Sequence, residues 1–191
     1  MSRRLLYSCA VTDSTQDKTR RFFFALWPDP PARTLLGGLA REVALESGGR
    51  PTLPDLIHLT LAFVGAQPAI RLDSLRRLAG LVRARSFVLA LDKIGGFQRT
   101  GIAWLGSTSP QSELLALQRD LTDALRMRAF PVEDRSYSPH LTLARRSTTV
   151  IERRLPQPIA WRVNAFALVA SETVDTGPLY RTIAEWPLVS V

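Results

Sequence analysis

Two short segments carry residue types that perform acid–base chemistry. His58-Leu59-Thr60-Leu61-Ala62 recurs, residue for residue, as His140-Leu141-Thr142-Leu143-Ala144, and these are the only two histidines of the chain. The offset is 140 − 58 = 82 positions. From the chain's own Leu, Thr and Ala frequencies, the four residues after a second His would match by chance roughly 2 times in 10,000, so the pentapeptide reads as an internal repeat. In a strand, side chains alternate, which sets His, Thr and Ala on one face and the two leucines on the other. The leucines then face a core, while His and Thr point together at something polar. If the two strands face each other, two imidazoles and two hydroxyls converge. A lone His on a strand is ordinarily a rim residue, and a strand Thr ordinarily a good strand former. The coincidence of the pair is what points to chemistry.

That set suits a phosphate ester. One imidazole takes a proton from an attacking water or hydroxyl. The other gives a proton to the departing oxygen, and the threonine hydroxyls donate to non-bridging phosphate oxygens. No metal or other cofactor is called for, and neither motif supplies the carboxylates that a two-His metal site would need.

The elements that must position these residues follow from apolar patterning. Phe22 to Trp27 reads as a buried strand. Asp29 caps a helix whose first turn holds Pro30 and Pro31 and whose apolar face is Leu35, Leu39 and Val43, stopped by Gly48-Gly49. Leu56 to Val64 is a strand ended by Gly65, and Leu72, Leu75, Leu78 and Val82 mark a basic amphipathic helix. Phe87–Leu91 and Ile102–Leu105 read as strands joined by a loop holding Gly95, Gly96 and Gly101. A third helix follows from Leu114, Leu117, Leu121 and Leu125, then a strand from His140 to Arg145, and a closing pair from Val163 to Val169 and Leu179 to Ile183. The order is β-α-β-α-β-β-α-β-β-β, and strand pairs without intervening helices argue against a purely parallel sheet. No Gly-rich phosphate loop is present.

Composition bounds the class. The 191 residues are 46% hydrophobic, which excludes a disordered chain and predicts one domain or two small lobes. The net charge is +8, a surplus that suits an anionic partner such as nucleic acid, although all but two of the 25 basic residues are Arg, a bias that gene base composition also produces. Cys9 is the sole cysteine, so an internal disulfide framework and a multi-Cys metal site are both excluded. No run approaches ~18 consecutive apolar residues, so a soluble, cytoplasmic protein with no membrane segment is expected. The apolar stretch near Cys9 is too short for a secretion signal, and residues 1–19 are read as a mobile extension, with the organised chain beginning at Arg20.

At the two motifs the chain resembles the 2H phosphoesterase superfamily, in particular its bacterial and archaeal RNA 2′,3′-cyclic phosphodiesterase branch, once called 2′-5′ RNA ligases. The resemblance runs from about Arg21 to Leu188. It is carried by Arg21 to Pro28, LIHLTLAFVG at 56–65, GGFQRTGIAWLG at 95–106, YSPHLTLAR at 137–145 and GPLYRTIAEWPL at 177–188. It implies an α+β fold: one bilobal domain over residues 20–191, with two pseudo-symmetric lobes, each an antiparallel sheet flanked by helices, around a central cleft. It implies metal-independent hydrolysis of an RNA or nucleotide 2′,3′-cyclic phosphate to a 2′-phosphate, with no cofactor and no obligate protein partner. The resemblance implies the general-acid role for His58, the general-base role for His140, and phosphate binding by Thr60 and Thr142. The motifs extend in family terms to Phe63 and Arg145, which would flank a nucleobase. Strand parity puts those two on the leucine face, so they reach the cleft only if the strands end or bulge after Ala62 and Ala144. Tyr137 and Arg135 are rim or structural candidates, and Trp104 and Trp161 are read as core. Two other functions share these residues: an RNA end ligase running the same site in reverse, and a non-catalytic RNA-binding module.

Overall fold

The computed structural model describes residues 19–175 and 177–190. Its elements run β1 (Thr19–Leu26), α1 (Pro30–Ser47), β2 (Arg50–Pro51), β3 (Leu59–Pro68), α2 (Leu72–Ala79), β4 (Phe87–Phe97), β5 (Ile102–Gly106), α3 (Ser112–Met127), β6 (His140–Arg145), β7 (Arg153–Val163), β8 (Ala165–Val174) and β9 (Gly177–Pro187). The strands join in the order β7-β4-β5-β6-β3-β1-β8-β9, with β2 added on β6. All these ladders are antiparallel.

Two four-stranded halves, β7-β4-β5-β6 and β3-β1-β8-β9, meet at β3 and β6. There the register contact is Leu59 opposite Leu141. Each is the second residue of its pentapeptide, so the repeat meets itself at a local pseudo-dyad. The expected α+β architecture of two pseudo-symmetric lobes is the one observed. Helix α1 packs against β5, β6 and β7, whereas α3 packs against β3, β4 and α2. One face of each half-sheet is thereby buried, with Phe24, Leu26, Leu59, Leu61, Leu105, Leu141 and Leu143 in a common core.

The expected helix start is confirmed in detail: the Asp29 carboxylate accepts the Ala32 N–H at 2.9 Å, and the prolines occupy the first turn. Other expectations are corrected. Leu35 is exposed, and the buried stripe of α1 runs instead through Ala32, Leu36, Leu39, Ala40, Val43 and Ala44. Leu56 lies in a short 3₁₀ turn, and β3 passes through Gly65 to Pro68. Gly95 and Gly96 lie inside β4 and not in a loop. A Cβ on Gly95 would sit 2.3 Å from the Trp104 ring, so glycine is what lets the indole lie against the strand. Val163 closes β7, a strand unread in the sequence because Pro156 and Pro158 interrupt it. β7 is an edge strand, where a missing N–H is tolerated. Residues 1–18 of the expected extension lie outside the described residues, and Thr19 already belongs to β1.

Candidate active site

Both motif strands carry the same irregularity. In β3, Thr60 is opposite Ala25 and Ala62 is opposite Phe24. In β6, Thr142 is opposite Trp104 and Ala144 is opposite Ala103. One motif residue, Leu61 or Leu143, is therefore bulged out of register in each copy. A bulge of one residue resets strand parity. Phe63 falls opposite Phe23 and Arg145 opposite Ile102, on the face that carries Thr60 and Thr142. The bulge required by the parity argument exists, one position earlier than expected. Phe63 and Arg145 are both exposed on that face.

The two imidazoles are tethered alike. His58 Nδ1 lies 2.7 Å from the Leu56 carbonyl oxygen and His140 Nδ1 lies 2.7 Å from that of Ser138, each two residues upstream. A carbonyl oxygen only accepts, so Nδ1–H is the donor in both. This fixes one tautomer and leaves Nε2 as the proton-accepting or proton-donating atom of each ring.

Their surroundings differ. His58 sits among Phe23, Trp27 and Tyr180, with ring centroids 4.9, 5.2 and 5.2 Å away. These rings, with Ala25, Ala167 and Val169, form a second apolar cluster on the cleft side of the sheet. Burial in that cluster, with the charges of Arg145 and His140 adding to it, lowers the His58 pKa to about 4 against the pull of the Leu56 carbonyl. His140 meets Phe97 edge-on at 5.1 Å and Trp104 at 6.3 Å. Its pKa is also lowered, first by burial, then by the charges of Arg135 and Arg145, against the Ser138 hydrogen bond. The charge of Arg145 thus acts on both imidazoles.

A pocket of about 230 Å³ opens beside His140, lined by Thr60, Phe63, Phe97, Gln118 and Tyr137 among others. Tyr137 Oη donates to the Thr60 carbonyl at 3.0 Å, and burial raises its pKa, so the phenol stays protonated and ties the segment before β6 to β3. Arg135 pairs with Glu133 at 2.6 Å on the rim. Trp161 is core, as expected, but Trp104 is half-buried on the cleft face. Sequence reading missed Phe23, Trp27, Tyr180 and Phe97. Alternation of Phe23, Ala25 and Trp27 held a signal, but the run Phe22-Phe23-Phe24 hid which phase faced the cleft. Among the described residues, no three His, Cys, Asp or Glu side chains gather as metal ligands. No helix there is long and apolar enough to cross a membrane.

The chain is similar to known proteins in sequence and in fold. The RNA 2′,3′-cyclic phosphodiesterase of Escherichia coli K12 is 33% identical over 176 residues, covering 88% of this chain and 97% of the relative. The protein of the same name from Thermus thermophilus is 30% identical over 185 residues, covering 88% and 90%. A crystal structure of E. coli LigT complexed with 3′-AMP superposes with a TM-score of 0.83 at 29% identity, covering 90% of this chain and 99% of that one. The 2′-5′ RNA ligase superfamily matches residues 28–175. The chain belongs to that superfamily, the 2H phosphoesterases.

Proposed function

We propose that this protein is an enzyme that opens RNA 2′,3′-cyclic phosphate ends to 2′-phosphomonoesters. The observation that carries the reading is the pair of imidazoles, tethered alike through Nδ1, that the repeat sets beside the β3–β6 junction. The names of the relatives, and the 3′-AMP held by a structurally similar protein, support the substrate class.

The step balances with protein groups alone. One Nε2 accepts a proton from water as the water oxygen bonds to phosphorus. The bond from phosphorus to O3′ breaks, and the other Nε2 delivers a proton to O3′. Thr60 and Thr142 donate to the non-bridging oxygens, where charge builds in the transition state. The family resemblance gives His58 the acid role and His140 the base role. In the free protein the aromatic cage holds His58 neutral, so in that assignment its proton arrives with the substrate, whose anionic phosphate raises the pKa of a neighbouring imidazole. The same cage favours a second reading with the roles exchanged, since a ring that stays neutral is ready to act as base.

The test is incubation of an oligoribonucleotide ending in a 2′,3′-cyclic phosphate, with and without a 5′-hydroxyl oligonucleotide. A 2′-phosphate product supports hydrolysis. A joined product alone would make the protein a ligase. Binding with no product of either kind would leave a binding module.

A further inference from the structure

We propose that Gln118 hydrogen-bonds the base-pairing edge of the terminal nucleobase, and that its carboxamide lets the site take RNA ends with any of the four bases. The proposal rests on the hydrolase reading above. It adds a specificity-determining residue that lies outside both motifs.

The pocket beside His140 exists because the sheet is open there. Leu59 opposite Leu141 is the one register contact between β3 and β6. β3 then runs on to Pro68, while the chain that leaves α3 at Met127 reaches His140 without regular structure. The Tyr137 hydroxyl spans the gap, donating to the Thr60 carbonyl at 3.0 Å. The cavity of about 230 Å³ is lined by Thr60 and His140 of the cleft and also by Gln118 and Thr122 of α3. Helix α3 packs on β3 and β4 through Leu114, Leu117, Leu121 and Leu125, which share the core with Leu59 and Leu61. The helix is therefore the floor of a hole whose mouth is at the reacting groups.

The walls suit a flat ring and the floor offers it one free polar group. Phe63 and Phe97 are exposed rings of the lining, and aromatic side chains stack on the faces of bases. The Thr122 hydroxyl already donates to the Gln118 and Arg119 carbonyls of its own helix. Glu133 and Arg135 pair with each other on the rim. Among the described residues no hydrogen bond uses the Gln118 carboxamide, which is half-buried one turn before Thr122. A polar group half-buried beside core leucines loses hydration without gaining packing, unless something polar meets it.

The base itself meets that need. The base-pairing edge of a nucleoside lies farthest from the ribose, so a base entering from the His140 side turns that edge to the floor. Every base sets a donor beside an acceptor there. Adenine and cytosine present an amino group next to a ring nitrogen, and guanine and uracil present a ring N–H next to a carbonyl. A carboxamide has an acceptor oxygen beside an NH₂ donor, and a half-turn of its end group fits it to either order. A carboxylate of nearly the same shape only accepts. It finds two adjacent donors on guanine alone, through N1–H and the 2-amino group. Against the other three bases it sets one oxygen on a ring nitrogen or a carbonyl.

The experiment measures kcat and KM for the four nucleoside 2′,3′-cyclic monophosphates with wild type, Gln118→Glu and Gln118→Leu. Wild type should turn over all four with kcat/KM values within about threefold of one another, as one interchangeable hydrogen bond allows. Gln118→Glu should favour guanine over each other base by about tenfold, as expected of a paired contact that only one base can complete. Gln118→Leu should raise KM for all four by about fivefold and keep kcat, since the contact is remote from the bonds that break and form. Calorimetric binding of the four nucleoside 2′-monophosphates to Gln118→Glu should show the same guanine preference without any turnover. Partial unfolding of a variant lowers all four together and does not imitate such a switch. A Gln118→Glu profile that matches wild type across the four bases, or a loss that the four share equally, would overturn the contact. If wild type cleaves none of the four, the hydrolase reading fails, while the binding profile still decides the role of Gln118.

Discussion

Leu59 and Leu141 stand opposite each other where the two half-sheets join, and each follows a histidine and precedes a threonine. From that contact the rest of the cleft is laid out twice. Each imidazole is tethered to the carbonyl two residues before it. Each motif strand then bulges at its second leucine, and each turns one further side chain, Phe63 or Arg145, onto the cleft face.

Removing either imidazole should remove the chemistry and spare the fold. His58→Ala and His140→Ala are each expected to lower turnover by ~10²–10⁴, the usual worth of a general acid or base. Thr60→Val and Thr142→Val keep the shape and remove a donor, with losses on the order of 10-fold to 10³-fold. Steady-state rates on a cyclic-phosphate oligonucleotide, with circular dichroism as the check on folding, measure both. Wild-type rates in both threonine variants would reduce those residues to strand formers.

Acid should destabilise the protein through His58. Above pH 6.5 the ring is neutral in the folded and the unfolded chain alike. Below it the unfolded chain takes up a proton, while the folded chain does so only near pH 4. Stability present above 6.5 is therefore lost as pH falls through that window, by up to about 3 kcal/mol, and His140 adds loss of the same sign. His58→Asn should flatten the dependence measured by urea melts between pH 7 and 4. An equally steep fall in that variant would place the titration elsewhere.

Catalysis should carry the same shifts. Both histidines lose affinity for the proton in the free protein, so the kcat/KM optimum should lie on the acid side of pH 6.5. The anionic phosphate raises both pKa values in the complex, which should move the kcat profile to higher pH and draw protons from buffer on binding. Calorimetry of inorganic phosphate binding in buffers of different ionisation enthalpy reads that uptake. If His58 is the acid, residual activity of His58→Ala should lose its alkaline limb and that of His140→Ala its acidic limb. The reverse pattern would exchange the roles.

Turnover should persist in excess EDTA, because acid, base and phosphate donors are all side chains of the chain itself. Loss on chelation with recovery on adding a divalent cation would replace this mechanism with a metal-assisted one.

Much of this was legible because the repeat is local and strand-borne. Two histidines with the same Thr two positions on define a face wherever the strands lie, and apolar periodicity located the three helices. What escaped depends on tertiary contact. β7 goes unread because its prolines interrupt the pattern and an edge position is not visible in sequence. Gly95 and Gly96 read as part of a loop because the indole that needs the space belongs to β5. Tyr180 reaches His58 from β9, more than a hundred residues away in sequence, and no periodicity connects them.

The most direct measurement is the product formed from an oligoribonucleotide with a 2′,3′-cyclic phosphate end, by wild type and by the double variant His58→Ala/His140→Ala. Wild type should yield a 2′-phosphate, released by phosphatase, while the folded double variant leaves the cyclic end intact. A 3′-phosphate product, an untouched substrate, or equal turnover by the double variant would contradict a two-histidine cyclic phosphodiesterase.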